Sequence, residues 1–369
     1  MVNSIRMHVF FALILGLLVG MGCNRQNTAS TTGDAAAVSL TEQTVTDFAK
    51  RIESGILNGR ADAIDEVIDK GHIRQLVSEN SIVYSGFDVE GGQAYFERCL
   101  QVGEQMVAAV NNGGDFAFTR QYTDSGLHHI VFRSYDSYIV NFYDFTVDTA
   151  GGELLIQDGF IFNAGCLLSK SVEGAMLYNL MLQTNPDSEV RWLQQAEEQT
   201  RANQPAKALA TLKEHKEALR DYPAYHQLMI ANLYQYDRAH FATRLDEMGD
   251  ELDERHLLLH KLLYYTNEGK VAETEQCVNA LIPHVGDDPI FLFLYGYAHL
   301  VAKHYDQALQ CFVTVDKSVP LIWDLWQCEL RCHKALKDDE GFEQCLNRGK
   351  DAYGMSDKEL NEIRNGGQN

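Results

Sequence analysis

One dipeptide recurs at a spacing of 34 residues in the C-terminal half of this chain, as Gln276-Cys277, Gln310-Cys311 and Gln344-Cys345. Each copy is followed by an apolar residue: Val278, Phe312 or Leu346. Only eight cysteines occur in 369 residues, so three at one fixed period indicate an internal repeat. A period of this length is typical of a two-helix hairpin that stacks on its neighbours. The stretch 255–356 therefore predicts an all-α solenoid.

The residue types inside one unit sharpen this prediction. Intervals of 12, 4 and 8 residues separate Gly296, Ala308, Phe312 and Pro320. These spacings resemble the tetratricopeptide (TPR) family, in which Gly and Ala let two helices approach, an aromatic ring fills the gap, and Pro ends the second helix. The intervals 4, 12 and 4 recur in Trp192, Ala196, Ala208 and Leu212, whereas the middle units depart from the pattern at Leu228, His240, Leu262 and Thr274. The resemblance implies TPR-like repeats over 187–356 and a capping tail over 357–369.

Such an array would present a concave groove lined by the first helix of each hairpin. Projecting the family's groove positions onto this sequence gives Tyr222, Tyr225, Met229, His256, Leu259, Phe293, Tyr297, Asp324, Gln327, Arg331 and Lys334. Aromatic residues and Arg in a groove favour capture of a peptide or helix from a partner protein. Two alternatives stay open. In the first, Phe293 and Tyr297 are covered by the preceding domain or by packing and do not line a groove. In the second, the array serves only self-association.

Residues 40–166 have the pattern of an α+β domain. Four runs rich in β-branched and aromatic residues, 115–123, 127–135, 138–148 and 153–163, are separated by short turns and predict an antiparallel meander. Before them we expect a helix capped by Thr41, a second short helix ending at Gly71, a short strand at 81–86 and a long helix over 88–111. This order resembles the NTF2-like (cystatin-like) cone fold, in which a curved antiparallel sheet wraps a long helix. The resemblance implies a pocket between sheet and helices.

Polar residues on the strands are the candidates for chemistry in such a pocket. They are His128, His129, Asp144 and Asp158, with Tyr122, Tyr138 and Tyr143 as hydrogen-bond donors. Alternation along a strand places His128 and His129 on opposite faces, so these two cannot form a local metal pair. Some NTF2-like proteins are isomerases or cyclases and many are binding modules, but the family has no shared catalytic motif. We therefore assign no catalytic residue, and a small-molecule receptor or an isomerase-like or cyclase-like enzyme is the alternative function.

The cysteines and helical histidines predict no metal and no cofactor. Seven cysteines remain after Cys23 and no C-x-x-C motif occurs, so neither a disulfide framework nor a zinc motif is indicated. We expect the in-phase cysteines to be small buried residues. Cys328 and Cys332 share one helix face, and His256 and His260 lie one turn apart; both pairs lack further ligands nearby and are interpreted as packed helix faces.

The N-terminus predicts the location of the chain. Arg6 and His8 precede an apolar run over 9–21, and Val19-Gly20-Met21-Gly22-Cys23 resembles the lipobox of bacterial lipoproteins, with Gly20 where that family usually has Leu. The resemblance implies a signal peptide over 1–22, lipidation of Cys23, a flexible tether over 23–39 and a membrane-anchored protein of the bacterial cell envelope, facing the periplasm or the surface. A plain secretory signal or an uncleaved anchor is the alternative.

Composition excludes one class of partner. The net charge of −21 is opposite to the basic surface that nucleic-acid phosphates require. Together, these patterns predict a non-enzymatic envelope lipoprotein whose solenoid binds a protein partner.

Overall fold

The computed structural model describes residues 40–79, 82–83, 87, 91–185, 187–317 and 323–364. Its contacts divide the chain into two compact units. The first contains Met1–Asn111, Phe116–Tyr135 and Asn141–Leu257; the second contains Asn112–Asp115, Asp136–Val140 and Leu258–Asn369. Across the described ranges, none of the helices is long and apolar enough to cross a membrane. The predicted signal peptide, Cys23 and the tether lie outside the described residues.

Before the sheet, the described residues contain the helices α1 Glu42–Leu57, α2 Asp62–Asp65, α3 Lys70–Ser78, α4 Gly92–Cys99 and α5 Gly103–Asn111. Thr41 caps α1 as predicted, since its hydroxyl accepts from the Thr44 amide at 3.2 Å. The predicted stop at Gly71 is wrong, because α3 runs through this residue. The predicted strand at 81–86 is wrong where the structure describes it, since Ile82 and Val83 are helical.

The predicted long helix over 88–111 is broken into α4 and α5. Gly103 begins α5 and lies so close to α2 that a Cβ built on it would be 2.2 Å from the Ala61 carbonyl oxygen. Its amide donates to Asp65 Oδ1 at 2.9 Å. A helix N-terminus leaves amides without intrahelical partners, so a carboxylate from α2 stabilises a new start there. The tertiary contact therefore decides the break, which the apolar spacing alone does not reveal.

The four predicted strands form one antiparallel sheet in sequence order, with a short fifth strand: β1 Asp115–Asp124, β2 Leu127–Asp136, β3 Ile139–Ala150, β4 Glu153–Ile161 and β5 Cys166–Leu167. One face, which we call the Phe132 face, carries Phe116, Phe132 and Phe145 into the main core. Its rings fill the space against the helices, with centroids 5.2 Å apart for Phe116 and Phe132 and 6.3 Å apart for Phe132 and Phe145. The opposite face, which we call the Asp144 face, carries His129 and Asp144.

Two-residue turns connect the first four strands. Ser125-Gly126, Ser137-Tyr138 and Gly151-Gly152 all have positive φ, the conformation that matches the twist of adjacent strands. Glycine adopts this conformation without strain, whereas Tyr138, at φ 68°, does so at an energetic cost.

Helices make up the rest of the described chain. They are α6 Leu168–Thr184, α7 Val190–Arg201, α8 Pro205–Glu214, α9 Lys216–Leu219, α10 Pro223–Tyr236, α11 Phe241–Glu247, α12 Glu254–Glu268, α13 Val271–Val285, α14 Pro289–Val301, α15 Tyr305–Val315, α16 Trp323–Leu336, α17 Asp339–Tyr353 and α18 Asp357–Arg364, with a 3-10 turn at Arg238–His240. Within the first compact unit, α6 packs on β4, α3, α4, α7 and α10. The contacts therefore group α6 to α11 with the sheet, which is a different division from the predicted boundary between 166 and 187.

The sequence period recurs in the helix boundaries. The helices α13, α15 and α17 begin at Val271, Tyr305 and Asp339, again 34 residues apart, and each carries its cysteine as the seventh residue. Cys277, Cys311 and Cys345 are free and buried. The chain is thus an α+β protein with an open antiparallel five-stranded sheet and many helices. Membership of the NTF2-like and TPR families remains a prediction.

Candidate functional site

The strands bring three of the predicted polar residues together on the Asp144 face. Asp144 on β3 is 5% exposed. Its carboxylate accepts a hydrogen bond from the Tyr122 hydroxyl at 2.6 Å, and its second oxygen lies 3.0 Å from His129 Nδ1. The rings of Tyr122 and His129 stack with centroids 4.5 Å apart. Asp144 is therefore the centre of a small polar cluster on this face of the sheet.

A cation from outside the sheet completes this cluster. Arg255 Nη1, at the start of α12, lies 3.6 Å from Asp144 Oδ2, and its Nε and Nη2 donate to Asp253 at 3.0 Å each. The guanidinium lies over the Phe160 ring, 3.6 Å from its centroid. An arginine held by two carboxylates and an aromatic face has little freedom to move, so its charge is fixed beside Asp144. Sequence reasoning missed Arg255.

The hydrogen bonds define what this cluster can do chemically. A carboxylate only accepts, so Nδ1 of His129 carries the proton and Nε2 is the basic nitrogen. Burial, followed by the hydrogen bond to Asp144, raises the pKa of Tyr122, so its hydroxyl stays protonated and donates. His129 and Asp144 have the arrangement of a base and the group that orients it. No serine, threonine or cysteine is bonded to His129 among the described residues, so the cluster lacks a nucleophile of its own.

The remaining strand candidates have structural partners instead. Asp158 receives the Ser169 amide at 3.0 Å and the Ser169 hydroxyl at 2.6 Å, and so stabilises the N-terminal turn of α6. Tyr143 is buried and accepts from the Ser134 hydroxyl at 3.4 Å. His128 Nδ1 lies 3.3 Å from the Thr123 hydroxyl at the exposed end of the hairpin.

Tyr138 belongs to the second compact unit. Its ring lies 4.7 Å from that of Tyr297 and 6.2 Å from that of Phe293, measured between centroids. Its hydroxyl is 3.9 Å from Cys328 Sγ, and burial raises its pKa well above the usual value. Tyr138 thus covers two of the residues predicted to line the groove.

Most predicted groove residues are buried. Tyr225, Met229, Phe293 and Tyr297 are at most 6% exposed. Tyr222 is half-buried, and Arg331 and Lys334 are exposed. In this structure the predicted groove positions accessible to a partner are therefore Arg331 and Lys334, with Tyr222, Asp324 and Gln327 accessible in part.

His256, another predicted groove residue, is fully buried in the first compact unit. Its Nδ1 donates to the Phe162 carbonyl at 2.6 Å, and burial lowers its pKa to about 4. Gly165, at φ +70°, lies against the ring, since a Cβ on this residue would be 2.8 Å from His256 Cγ. His256 is therefore a neutral core residue. No group of three or more His, Cys, Asp or Glu able to hold a metal occurs within the described ranges.

Two concave regions have linings that do not include the Asp144 cluster. A small cavity of about 50 Å³ in the first compact unit is lined by Cys99, Tyr178, Tyr222 and Gln227 among others. An open furrow of about 410 Å³ in the second compact unit is formed by α13, α14 and α15. Only the second has the size of a site for several side chains of a ligand.

We compared the chain with known protein families, curated proteins and solved structures. No protein-family description, curated protein or solved structure matches this chain.

Proposed function

We propose that this chain is a non-enzymatic lipoprotein of the bacterial cell envelope, which holds a partner protein on its C-terminal helical hairpins. The observation that carries the proposal is the recurrence of helix starts at Val271, Tyr305 and Asp339, because stacked hairpins of one design extend a surface and do not enclose a reaction site. The proposal includes a TPR-type solenoid, an NTF2-like domain before it, and an anchor at Cys23.

The N-terminal domain supports this proposal by what fills it. The Phe132 face is occupied by its own aromatic rings, so the pocket expected for an NTF2-like enzyme is filled at that face. On the Asp144 face, Tyr122, His129 and Arg255 are each bonded to or paired with Asp144.

The location is tested by metabolic labelling with a palmitate analogue. The wild-type chain should incorporate the label and sediment with membranes, and Cys23→Ser should do neither. Label on the Cys23→Ser variant would remove the anchor from the proposal.

The partner surface is tested by a photo-crosslinking amino acid placed singly at Arg331 or Lys334. Both are exposed, and so is Lys213 on α8, which provides a matched control. We expect one discrete cross-linked protein from the first two positions and none from Lys213. The variants are compared only if they sediment with membranes and melt cooperatively. If such variants form no adduct at Arg331 or Lys334, no partner binds at these positions.

A second candidate is a small-molecule receptor or an isomerase-like enzyme, and it rests on the His129–Asp144 pair. Its test is His129→Gln, a variant of similar size that does not titrate. Metabolites are first screened for those that raise the melting temperature of the wild-type protein. This candidate requires that such a metabolite no longer raises the melting temperature of the His129→Gln variant. Unchanged shifts would reject His129 as part of a binding site.

A further inference from the structure

The furrow between α13, α14 and α15 has an apolar floor. Val278 on α13, Leu292 and Tyr295 on α14, and Val315 at the end of α15 line it. The first three are partly exposed, although each is a large apolar or aromatic side chain. A concave apolar surface of this volume is larger than a packing defect and matches the space that a few side chains of a ligand occupy.

The rim of the furrow is acidic. Glu275 on α13 and Asp287, just before α14, are exposed, and Asp288 completes a set of three carboxylates. The lining contains no Lys, Arg or His. Asp288 is buried and accepts from the Ile290 amide at 2.8 Å, so its charge is partly offset by the N-terminus of α14. The negative potential of the rim therefore comes mainly from Glu275 and Asp287.

These two carboxylates differ from the acidic residues that are paired with an arginine. Neither has a hydrogen-bond or ion-pair partner in the part of the chain that the structure describes, whereas Asp237, Asp316 and Glu343 are each paired with an arginine. The carboxylate of Glu275 also lies near the Tyr295 hydroxyl, whose pKa is raised by burial and then by this charge. An unpaired charge beside an apolar floor favours an occupant that carries the opposite charge.

We propose that this furrow binds a short cationic, amphipathic segment of a partner protein, with a large apolar side chain on the floor and flanking Lys or Arg beside Glu275 and Asp287. This inference deepens the proposed function and rests on it. The carboxylates exclude nucleic acid and anionic lipid. A second copy of the chain, which also has a net charge of −21, would be repelled.

The experiment measures binding of a fluorescent probe to the full chain by anisotropy. The probe is a peptide of about twelve residues with leucines on one face of a helix and lysines on the other. A second peptide carries glutamate at each lysine position. We expect micromolar binding of the lysine peptide, at least tenfold weaker binding of the glutamate peptide, and a steep decrease with salt. Equal binding of both peptides would overturn the charge argument.

Variants distinguish the furrow from the general acidity of the surface. The double variant Glu275→Gln, Asp287→Asn should lower the affinity for the lysine peptide about fivefold to tenfold at low salt. Leu292→Ser should lower this affinity about tenfold at all salt concentrations. The matched control, Asp339→Asn with Glu340→Gln on α17, makes the same change in net charge at residues outside the furrow, and should bind as wild type. Equal weakening by the control pair would show nonspecific attraction and reject the furrow.

Two further outcomes separate this inference from the proposed function. Variants are compared only where circular dichroism and the melting temperature match the wild type; if Leu292→Ser fails this test, Leu292→Met replaces it and should weaken binding less than threefold. Furrow variants that still form the adduct at Arg331 would reject the furrow and leave the scaffold proposal intact. Loss of peptide binding in the furrow variants, without any adduct at Arg331, would support the furrow and reject the groove positions.

Discussion

The two faces of the sheet are both buried, but by different chemistry. The Phe132 face is filled by aromatic rings in a continuous apolar core. The Asp144 face buries a carboxylate, which is acceptable only because Tyr122, His129 and Arg255 surround it. One face therefore gains stability from area removed from water. The other also buries apolar area, including the Phe160 ring opposite Asp144, and adds a polar network in which each member compensates for the burial of the next.

The largest effect should come from the Phe132 face. Phe132→Ala removes a fully buried ring and leaves a cavity among Phe116, Phe118 and Phe145. We expect a loss of about 3–5 kcal/mol in the free energy of unfolding, measured by urea denaturation. Phe132→Leu is the graded control and should lose clearly less. Equal losses for both would mean that the rings are not a tightly packed core.

A pH-dependent effect should follow at His256, which is bonded to the Phe162 carbonyl just after β4. Its folded pKa of about 4 lies below the usual value of 6.5, so the unfolded chain takes up the proton first and acid favours unfolding. The stability present at neutral pH should fall by about 3 kcal/mol as the pH is lowered from 6.5 to 4. His256→Asn retains a donor for the Phe162 carbonyl but does not titrate.

The difference between wild type and His256→Asn is the relevant quantity, because other groups titrate in the same range. Burial raises the pKa of Asp65 to about 6, so this carboxyl acts in the opposite direction. Burial also lowers the pKa of His226, which adds to the effect of His256. The Asp65 contribution cancels when the two proteins are compared at each pH, whereas the His226 contribution cancels only in part because its charge also lowers the pKa of His256. Parallel pH profiles would show that His256 is not the buried neutral group described above.

The Asp144 network gives the next prediction. Asp144→Ala leaves the His129 and Tyr122 donors without an acceptor and should cost about 2–3 kcal/mol in chemical denaturation. Asp148→Ala changes an exposed carboxylate on the same strand and should stay within about 0.5 kcal/mol of wild type. If Asp144→Ala were as mild as Asp148→Ala, the two faces would not differ in the way proposed.

The smallest effect concerns Tyr138, where backbone strain opposes packing. Tyr138→Ala removes the contacts with Phe293 and Tyr297 and keeps the unfavourable backbone, whereas Tyr138→Gly removes the same contacts and relieves it. We therefore expect the glycine variant to be about 1 kcal/mol more stable than the alanine variant, and both to be less stable than wild type. Thermal denaturation measures this difference, and an alanine variant more stable than the glycine one would contradict the strain.

Several of these features follow from the sequence alone. The strand boundaries do, because alternating apolar residues end at turn signals. The pairing of Tyr122 with His129 was also available, since both are equally distant from the two-residue turn Ser125-Gly126, and residues related in this way face each other across a hairpin. Fixing the register of β1 and β2 from this turn therefore predicts the contact between Tyr122 and His129.

Other features depend on contacts between distant parts of the chain. Arg255 reaches Asp144 from a helix far along the sequence, and no local pattern indicates this. The break between α4 and α5 depends on the Asp65 carboxylate. Groove positions can be projected from repeat spacing, but burial of Phe293 and Tyr297 depends on Tyr138, which lies in a turn that the spacing does not cover.

Two of the hairpin turns differ in a way that matters for attaching a tag or a fluorophore. At Gly151-Gly152, side chains are absent, and Gly151 is exposed with no atom within 4 Å of an added Cβ, so residues inserted there should disturb little of the packing. At Ser137-Tyr138, an insertion would displace the Tyr138 ring from its contacts with Phe293 and Tyr297. The first site should accept an epitope or a protease-cleavage sequence, whereas the second should be left intact.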